Sequence, residues 1–455
     1  MNGSQLGPRN RISSLLAVAC LIALVNDGWS GRPSPFVHQI ILLPFASLFA
    51  IVLVRLLRFQ TPAGLLSQGG RSLSLAWATV STFEAVTVLS FLYAAHHFVS
   101  FGYHLSPAGV LLLLGVIAGC VAGYLRTKSA NWLLGGAALT YAAGSVIAIL
   151  CFPLNYLRSD MLPVIIWADR RLATHLDPYA TMHVGTRLYD FPYLPGVLVA
   201  YLPVVALHVD PRWLNLVCLL IVVGLLYRSA GLAKKRAAAL VISVFLLSPF
   251  LQYRHELYLE PHWLALAGSV VLLQRRRYQW AAAVFGVSMA LYQLSWVLWP
   301  FLLLFAFRRK GWSEAARAGG LSLAAMIMVV GPFARSAMSR IASNTVGQWN
   351  KMPHALADPI NASFWVSYIV RPDHLKWVQL AVLTGVFAYC LRAGRCRSLE
   401  DTLRWMSAAL AIFISLNVLV DGYFYLTLML VLVMYTLSAT GIWKRSELPM
   451  SPACL

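Results

Sequence analysis

The chain has 455 residues, of which 59% are hydrophobic and only 11% are charged. This composition excludes a water-soluble globular protein of this length and predicts an integral membrane protein. The formal net charge is +20, but the basic residues cluster at the ends of apolar runs. The positive-inside rule and anionic lipid headgroups account for that pattern, so we expect membrane lipids and no nucleic acid as partners.

The N-terminal part, residues 1–153, predicts a block of five transmembrane helices. The apolar runs are long enough to cross, or nearly cross, a bilayer as helices. The first run has a basic start like that of a signal peptide, but Val25 and Asn26 stand where a cleavage site needs small residues, so we expect an uncleaved helix. The five predicted crossings lie near residues 13–27, 36–57, 74–97, 106–125 and 131–153.

The positive-inside rule orients the rest of the chain. With Arg9 and Arg11 inside, five crossings place the next segment, a loop over residues 154–195, outside the cell. We interpret this loop as the catalytic loop. Three further units are predicted: a transmembrane core over residues 196–334, a second outside loop over 335–375, and C-terminal helices with a cytoplasmic tail over 376–455.

Further apolar segments follow the first loop and complete an all-α polytopic bundle of about 13 to 15 transmembrane segments. They lie near residues 195–208, 212–230, 237–252, 261–274, 279–293, 294–307, 318–334, 376–392, 404–420 and 423–443. Because the basic Lys234 and Lys235 must lie inside, an odd number of crossings must separate them from the first loop, whereas two segments do. The segment at 195–208, which is split by Pro203, is predicted to be an incomplete, re-entrant or tilted piece buried against protein.

The first outside loop contains a predicted helix. Apolar residues recur in it at helical spacing, with basic and polar residues on the other side. This pattern predicts a helix that lies in the membrane interface with its apolar face in lipid. The apolar positions are Met161, Ile165, Ala168, Leu172 and Leu176.

The same loop holds four of the chain's sixteen acidic residues. Asp160 directly precedes the predicted helix and is interpreted in two compatible ways: as its N-cap, or as a general base or cation ligand where an aqueous substrate meets a membrane-embedded one. Asp177, in the sequence DPY, is typical of a turn. Asp169 and Asp190 are expected to be solvated or paired with arginines of the loop.

Asp160, the motifs WAD and LDPY, and the following YDFPYLPGVLVAYLP resemble the signature of the GT-C polyprenol-phosphate-dependent glycosyltransferases, especially the mannosyltransferase-like glycosyltransferase family 87. The stretch from Ser248 to Trp312 is similar to that family's second loop, basic turn and Gly-bearing hairpin. The chain departs from the pattern in three places. Leu176 replaces a small residue, LYQLSW replaces a Lys-Pro or Lys-Gln pair, and about four extra helices precede the signature.

The resemblance implies a GT-C-like fold and an integral-membrane glycosyltransferase. It would move a mannose-like sugar, or another pentose or hexose, from a polyprenyl-phosphate donor to a glycan, lipid or protein acceptor. The expected location is a bacterial plasma membrane, with the active site on the extracytoplasmic side. By resemblance, Asp160 is the catalytic carboxylate that deprotonates the acceptor hydroxyl or helps to hold a divalent cation, Mg or Mn, near the donor phosphate.

Further site residues follow from the chemistry of the reaction. The leaving phosphate needs cationic partners, although each candidate alone is also explained as an anchor for lipid headgroups. These candidates are Arg158, Arg254, His255, Lys351 and Arg371. The candidates for binding the acceptor or a cation are Glu256, Glu260, Asp177, Tyr179 and Tyr193. Glu256 and Glu260 lie one turn apart on a helix, where they can share a site with His255 or His262. In the alternative, they lie in a solvated connection in which Glu256 pairs with Arg254.

Two other classes of function fit the same composition. A transporter or a flippase for lipid-linked sugars can be built from the same number of apolar segments, and the intramembrane acid Glu84 is the residue that favours it most. A non-enzymatic assembly subunit is the third interpretation. The concentration of acidic residues in outside loops, rather than in mid-membrane positions, favours the glycosyltransferase.

Overall fold

The computed structural model describes residues 107–127, 129–151, 153–154, 161–184, 187–247, 251, 257–345, 362–417 and 424–443. The three crossings predicted before residue 100, and with them Glu84, lie outside this part of the chain. Three described helices are long and apolar enough to cross a membrane, namely Ala130–Leu150, Trp312–Phe333 and His374–Arg392. The protein is therefore an all-α membrane protein, as its composition predicts.

Fourteen α-helices, numbered here in chain order, make up most of the described structure. The helices before residue 250 are α1 (Pro107–Thr127), α2 (Ala130–Cys151), α3 (Met161–Ala173), α4 (Pro195–Ala206), α5 (Arg212–Arg228) and α6 (Lys235–Leu246). The later helices are α7 (Glu260–Gln274), α8 (Tyr278–Leu291), α9 (Leu294–Lys310), α10 (Trp312–Thr345), α11 (Ala362–Val366), α12 (Pro372–Arg392), α13 (Leu399–Leu416) and α14 (Phe424–Ala439). A short antiparallel hairpin, β1 (Met182–Val184) and β2 (Arg187–Tyr189), lies between α3 and α4.

Contacts between α2 and α5 define the two ends of the bundle. At one end, the guanidinium group of Arg212 in the first turn of α5 donates to the carbonyl oxygen of Ala148, in the last turn of α2, at 2.8 Å. At the other end, the hydroxyl of Tyr227 donates to the side-chain oxygen of Asn131. The two helices are therefore antiparallel. We call the end at which α2 leads towards α3 the α3 end, and the other the opposite end.

Helix α4 begins and ends at the α3 end. Gly196, its second residue, packs so closely on the last turn of α8 that a Cβ at this position would overlap the Ala290 carbonyl group. After its last residue, Ala206, the chain returns to Arg212, which is also at the α3 end. Twelve residues of helix span about 18 Å, which is too short for a bilayer core of about 30 Å. Helix α4 therefore does not carry the chain to the opposite end. For this segment, which contains Pro203, the sequence predicts an incomplete crossing.

Helices α8 and α10 pack closely against each other. A Cβ on Gly286 of α8 would overlap the carbonyl oxygen of Ser322 in α10. The Ser322 hydroxyl also donates to the Ala282 carbonyl oxygen at 2.9 Å. Glycine at position 286 therefore lets the two backbones approach each other, as small residues do in membrane helix pairs.

The opposite end is closed by the segment that follows α14. The backbone N–H of Gly231, in the turn between α5 and α6, donates to the carbonyl oxygen of Ile442 at 3.0 Å. The ammonium group of Lys234 donates to the carbonyl oxygen of Gly441 at 2.7 Å. These bonds join two segments that are about two hundred residues apart in the sequence, so the C-terminal helix is part of the same bundle.

Helix α10 extends beyond its predicted apolar segment. The sequence predicts a segment near 318–334, whereas the helix continues to Thr345. Its additional turns carry polar residues at the α3 end, including Arg340, which pairs with Asp177 of the first loop. Hydropathy falls at residue 335 because the helix becomes polar there, and not because it ends.

Candidate functional site

Helix α3 packs its apolar face on protein. Its buried residues recur at helical spacing and belong to the same core as α4 and α7. They are Met161, Leu162, Val164, Ile165, Ala168 and Asp169. The prediction that the apolar face of this helix lies in lipid is therefore wrong, because apolar spacing alone does not distinguish a protein partner from a lipid partner. Leu176, beyond the end of the helix, is the predicted apolar position that is exposed.

Asp169 lies on the buried face of α3. It is 0% exposed, and neither oxygen of its carboxyl group has a hydrogen-bond partner. Burial raises the pKa of this carboxyl group to about 8, because an apolar environment disfavours the charged form. The prediction that Asp169 is solvated or paired with loop arginines is wrong. Arg171 instead donates to the carbonyl oxygen of Asp177 at 2.8 Å and lies over the ring of Trp167.

Asp177 holds the first loop in place. One carboxyl oxygen accepts the backbone N–H of Tyr179 at 2.8 Å, which is the turn that the DPY sequence predicts. The other oxygen forms an ion pair with Arg340 of α10. Both oxygens are therefore engaged within the protein, and they connect the loop to the bundle. Asp190 accepts a hydrogen bond from the Thr181 hydroxyl at 2.8 Å in the same loop.

An aromatic row leads from the first loop to the interior of the bundle. It consists of Tyr179, Phe191, Tyr193, Tyr258 and Tyr292. Successive ring centroids are 5.2, 5.3, 4.3 and 5.9 Å apart. Tyr179 is buried, and its hydroxyl donates to the Tyr193 carbonyl oxygen at 3.1 Å, whereas the Tyr193 side chain is partly exposed. The row thus connects the first loop to the residues just before α7 and just after α8.

Glu260, the first residue of α7, is buried among groups from three other helices. It is 1% exposed. It acts electrostatically on the hydroxyls of Tyr141 and Tyr201 and on the thiol of Cys218. The backbone N–H groups of Leu259 and of Glu260 itself lie close to the carboxyl group, but neither of its oxygens makes a hydrogen bond of normal geometry. Glu260 is therefore a second buried acid at the α3 end without a hydrogen-bond partner.

The groups around Glu260 are held by their own hydrogen bonds. The Tyr201 hydroxyl donates to the side-chain oxygen of Asn215, and the Asn215 amide donates to the Leu257 carbonyl oxygen. These bonds connect α4 and α5 to the segment just before α7. The polar wall around Glu260 is thus ordered by the protein, while the acid itself is left unbonded.

His262 lies on the other side of α7. Its Nδ1 lies 2.9 Å from the Ser288 hydroxyl oxygen and 3.4 Å from that of Ser295. Its Nε2 is buried and has no hydrogen-bond partner. Two residues along a helix correspond to a rotation of about 200°, so Glu260 faces α2, α4 and α5, whereas His262 faces α8 and α9.

Most of the other predicted site residues lie outside the described residues. These are Asp160, Arg158, Arg254, His255, Glu256 and Lys351. Arg371 is described and exposed, and it directly precedes α12, where its carbonyl oxygen accepts the backbone N–H groups of His374 and Leu375. Within the described ranges, no group of three or more His, Cys, Asp and Glu residues is arranged to hold a metal ion. Asp160, the residue expected to hold a divalent cation, directly precedes α3 in the sequence.

The sequence interpretation missed Asp169, Tyr201, Asn215 and Arg340. A signal was present for Asp169, because it follows Met161 and Ile165 at intervals of four residues and so shares their helix face. The others depend on contacts between distant segments, which spacing within one helix does not reveal. Comparison with protein-family models, curated proteins and solved structures found no match to this chain.

Proposed function

We propose that this protein is an integral-membrane glycosyltransferase of the GT-C type. It transfers a sugar from a polyprenyl-phosphate donor to a glycan, lipid or protein acceptor on the extracytoplasmic face of the membrane. One observation carries the proposal. In the described part of the chain, the carboxyl groups that are buried with neither oxygen hydrogen-bonded are those of Asp169 and Glu260, and both lie at the α3 end. This is also the end that receives the loop with Asp160.

The proposed reaction requires this location. The polyprenyl chain of the donor lies in the bilayer, while the acceptor arrives from water, so the two meet where a loop covers one end of a helical bundle. Helices α3 and α4, which do not cross the bundle, provide such a cover. In the described part of the chain, the buried acids with neither oxygen hydrogen-bonded lie at this end, which supports chemistry at the membrane surface more than transport through the bundle.

In the proposed step, an oxygen of the acceptor hydroxyl forms a bond to the anomeric carbon of the sugar. The bond from that carbon to the phosphate oxygen breaks, and its electron pair leaves with polyprenyl phosphate. The carboxylate of Asp160 takes the proton of the acceptor hydroxyl. A general base of this kind contributes about 10²- to 10⁴-fold to the rate. The leaving phosphate is stabilised by cationic side chains. Arg371 is the described candidate, and Arg158, Arg254 and His255 are the others.

The decisive experiment is sugar transfer in liposomes by purified wild type and by two loop variants. Asp160→Asn should lower the transfer rate from a radiolabelled polyprenyl-phosphate mannose or arabinose by about 100-fold or more. Asp190→Asn is the matched control, because Asp190 lies in the same loop and bonds to Thr181; it should retain activity. Equal transfer by wild type and Asp160→Asn would remove Asp160 from the mechanism.

The same liposomes test the alternative class of function. If the wild type transfers no sugar from any donor, but moves a fluorescent lipid-linked sugar between leaflets, then the protein is a flippase and not a transferase. A non-enzymatic subunit would show neither activity, and Asp160→Asn would leave its assembly function intact.

The proposed orientation is tested by labelling single cysteines in intact cells. Leu188 in the loop hairpin is exposed, and so is Ser313 at the opposite end. In a background without the seven native cysteines, Leu188→Cys should react with a membrane-impermeant maleimide in intact cells. Ser313→Cys should react only after lysis. The reverse pattern would place the loop, and the proposed reaction, on the cytoplasmic side.

A further inference from the structure

The Glu260 cluster, defined as Glu260, Tyr141, Tyr201, Asn215 and Cys218, lies where α2, α4, α5 and α7 meet. A buried polar group without a hydrogen bond costs about 1–3 kcal/mol. At Glu260 this cost concerns both oxygens of one carboxyl group. In the residues that the structure describes, no ion pair neutralises it. Such a group is either a defect in the fold or one side of a binding site.

The neighbours of Glu260 favour a binding site. Two tyrosine hydroxyls and a thiol from three helices interact electrostatically with one carboxyl group, and the Tyr201 hydroxyl is oriented by its hydrogen bond to the Asn215 side-chain oxygen. These groups are uncharged polar groups, most of which can both donate and accept hydrogen bonds. A metal ion would require a different set of ligands, and no such set is found among the described residues.

The cluster is connected to the loop surface through the aromatic row. The ring of Tyr193, which is partly exposed, lies 4.3 Å from that of Tyr258. Tyr258 precedes Glu260 by two residues and acts electrostatically on the Tyr201 hydroxyl. Aromatic faces therefore lead from the first loop to the Glu260 cluster. Aromatic walls with a few converging polar groups are typical of small-molecule sites.

We propose that the Glu260 cluster recognises the hydroxyl groups of the transferred sugar, with Tyr193 and Tyr258 contacting the apolar face of the sugar ring. This inference rests on the proposed glycosyltransferase function. A sugar hydroxyl both donates and accepts hydrogen bonds, so a carboxyl group and tyrosine hydroxyls match it. Helix α4 carries Tyr201 and covers the cluster without crossing the bundle. Glu260 thus determines donor specificity, while Asp160 performs proton transfer.

The test measures binding separately from transfer. The probes are a short-chain polyprenyl-phosphate mannose, the corresponding arabinose donor, and their monodeoxy analogues, each of which lacks one hydroxyl group. Equilibrium binding is measured with wild type and Glu260→Gln in detergent. Wild type should bind one of the monodeoxy analogues about tenfold or more weakly than the intact donor. Glu260→Gln should bind the intact donor about as weakly as wild type binds that analogue. It should no longer distinguish the intact donor from the analogue.

His262→Gln is the matched control, because His262 is equally buried on the other side of the same helix. It should retain the wild-type discrimination among the analogues, whatever its overall stability. A purely structural role for Glu260 would weaken the binding of all donors equally and leave the discrimination intact, which would overturn the inference. Wild type that does not discriminate within either sugar series would also overturn it.

The two proposals fail in distinguishable ways. If Glu260→Gln discriminates like wild type, while transfer still depends on Asp160, the specificity site is wrong and the glycosyltransferase proposal stands. If wild type binds and discriminates among the lipid-linked sugars but transfers none of them, the sugar site stands and the transferase proposal fails.

Discussion

The two ends of the bundle treat buried acids in opposite ways. At the opposite end, Asp401 is 8% exposed, and its carboxyl group accepts the backbone N–H of Cys396 at 2.6 Å. The guanidinium group of Arg404 lies 4.0 Å from it. At the α3 end, Asp169 and Glu260 are buried at least as deeply, but neither oxygen of either carboxyl group makes a hydrogen bond of normal geometry, whereas one of the two Asp401 oxygens does. The acid at the opposite end stabilises the fold, whereas those at the α3 end impose a cost that a function has to explain.

The basic residues do not follow the same division. At the opposite end they are occupied by the protein itself. Lys310 lies over the ring of Tyr278, Arg309 lies over Phe305, and Lys234 donates to the Gly441 carbonyl oxygen. At the α3 end, Arg371 is exposed at the start of α12. Also at the α3 end, Arg212 pairs with Asp210 and Arg340 pairs with Asp177, so basic residues stabilise the fold at both ends.

The largest expected effect is a pH dependence that originates at Asp169. Its pKa is raised from 3.8 to about 8, so between these values the native chain holds a proton that the unfolded chain has lost. The contribution of Asp169 to stability is therefore fully present below pH 3.8 and is lost as the pH rises to about 8, by up to about 1.4 kcal/mol per pH unit. Asp169→Asn should remove this slope. Thermal unfolding in detergent at pH 6, 7 and 8 measures it, and parallel profiles for the two proteins would contradict it.

An Asp-to-Asn substitution at the opposite end should change the free energy of unfolding in the opposite direction. Asp401→Asn weakens a hydrogen bond to a charged acceptor and its interaction with Arg404, so we expect a loss of about 1.5–3 kcal/mol. At pH 8, Asp169→Asn should be neutral or stabilising, because it removes an acid from an apolar site. Unfolding free energies of both variants at one pH give the comparison directly. Equal destabilisation would show that the two ends do not differ in this respect.

A smaller effect is expected at the cap of α13. The Ser398 hydroxyl accepts the backbone N–H of Asp401 at 3.0 Å. Ser398→Ala should therefore cost about 0.5–2 kcal/mol and leave sugar transfer per folded molecule unchanged. The transfer rate, normalised to the folded fraction, checks this. A change in specific activity would extend the functional region to the opposite end.

The smallest effect is expected from the ion pair between Asp177 and Arg340. Because Arg340 is 54% exposed, the coupling free energy in a double-mutant cycle should be about 0.2–1 kcal/mol. Asp177→Ala should cost more than Arg340→Ala, since it also removes the turn hydrogen bond to Tyr179. The rate at which a protease cleaves the loop measures the destabilisation in each variant. If the two changes have equal cost, the turn hydrogen bond contributes nothing.

The bundle helices were predictable from apolar runs, because a membrane requires continuous hydrophobic length. The predicted segment 212–230 corresponds to α5 (Arg212–Arg228), and 261–274 corresponds to α7 (Glu260–Gln274). The end of α10 was not predictable in this way, since its last turns are polar and still helical. Hydropathy reports what surrounds a helix, and it does not report where the helix ends.

The candidate site was less predictable than the fold. The sequence identified Glu260 and the turn at Asp177, because the chain has only sixteen acidic residues and they are concentrated in the predicted outside loops. It did not identify the partner of the apolar face of α3, or the grouping of Tyr141, Tyr201 and Cys218 around Glu260. These three residues come from separate helices, and only their packing brings them together.

Helix α4 has a consequence for the biosynthesis of the protein. It ends at Ala206 but packs on α8 and α10, and α10 is complete only at Thr345. At about 5–20 residues per second, a ribosome needs on the order of ten seconds to synthesise the intervening chain. During this interval, an apolar segment too short to cross the bilayer has none of its later helical neighbours. Assembly at this end of the protein is therefore completed late, after much of the bundle has been inserted.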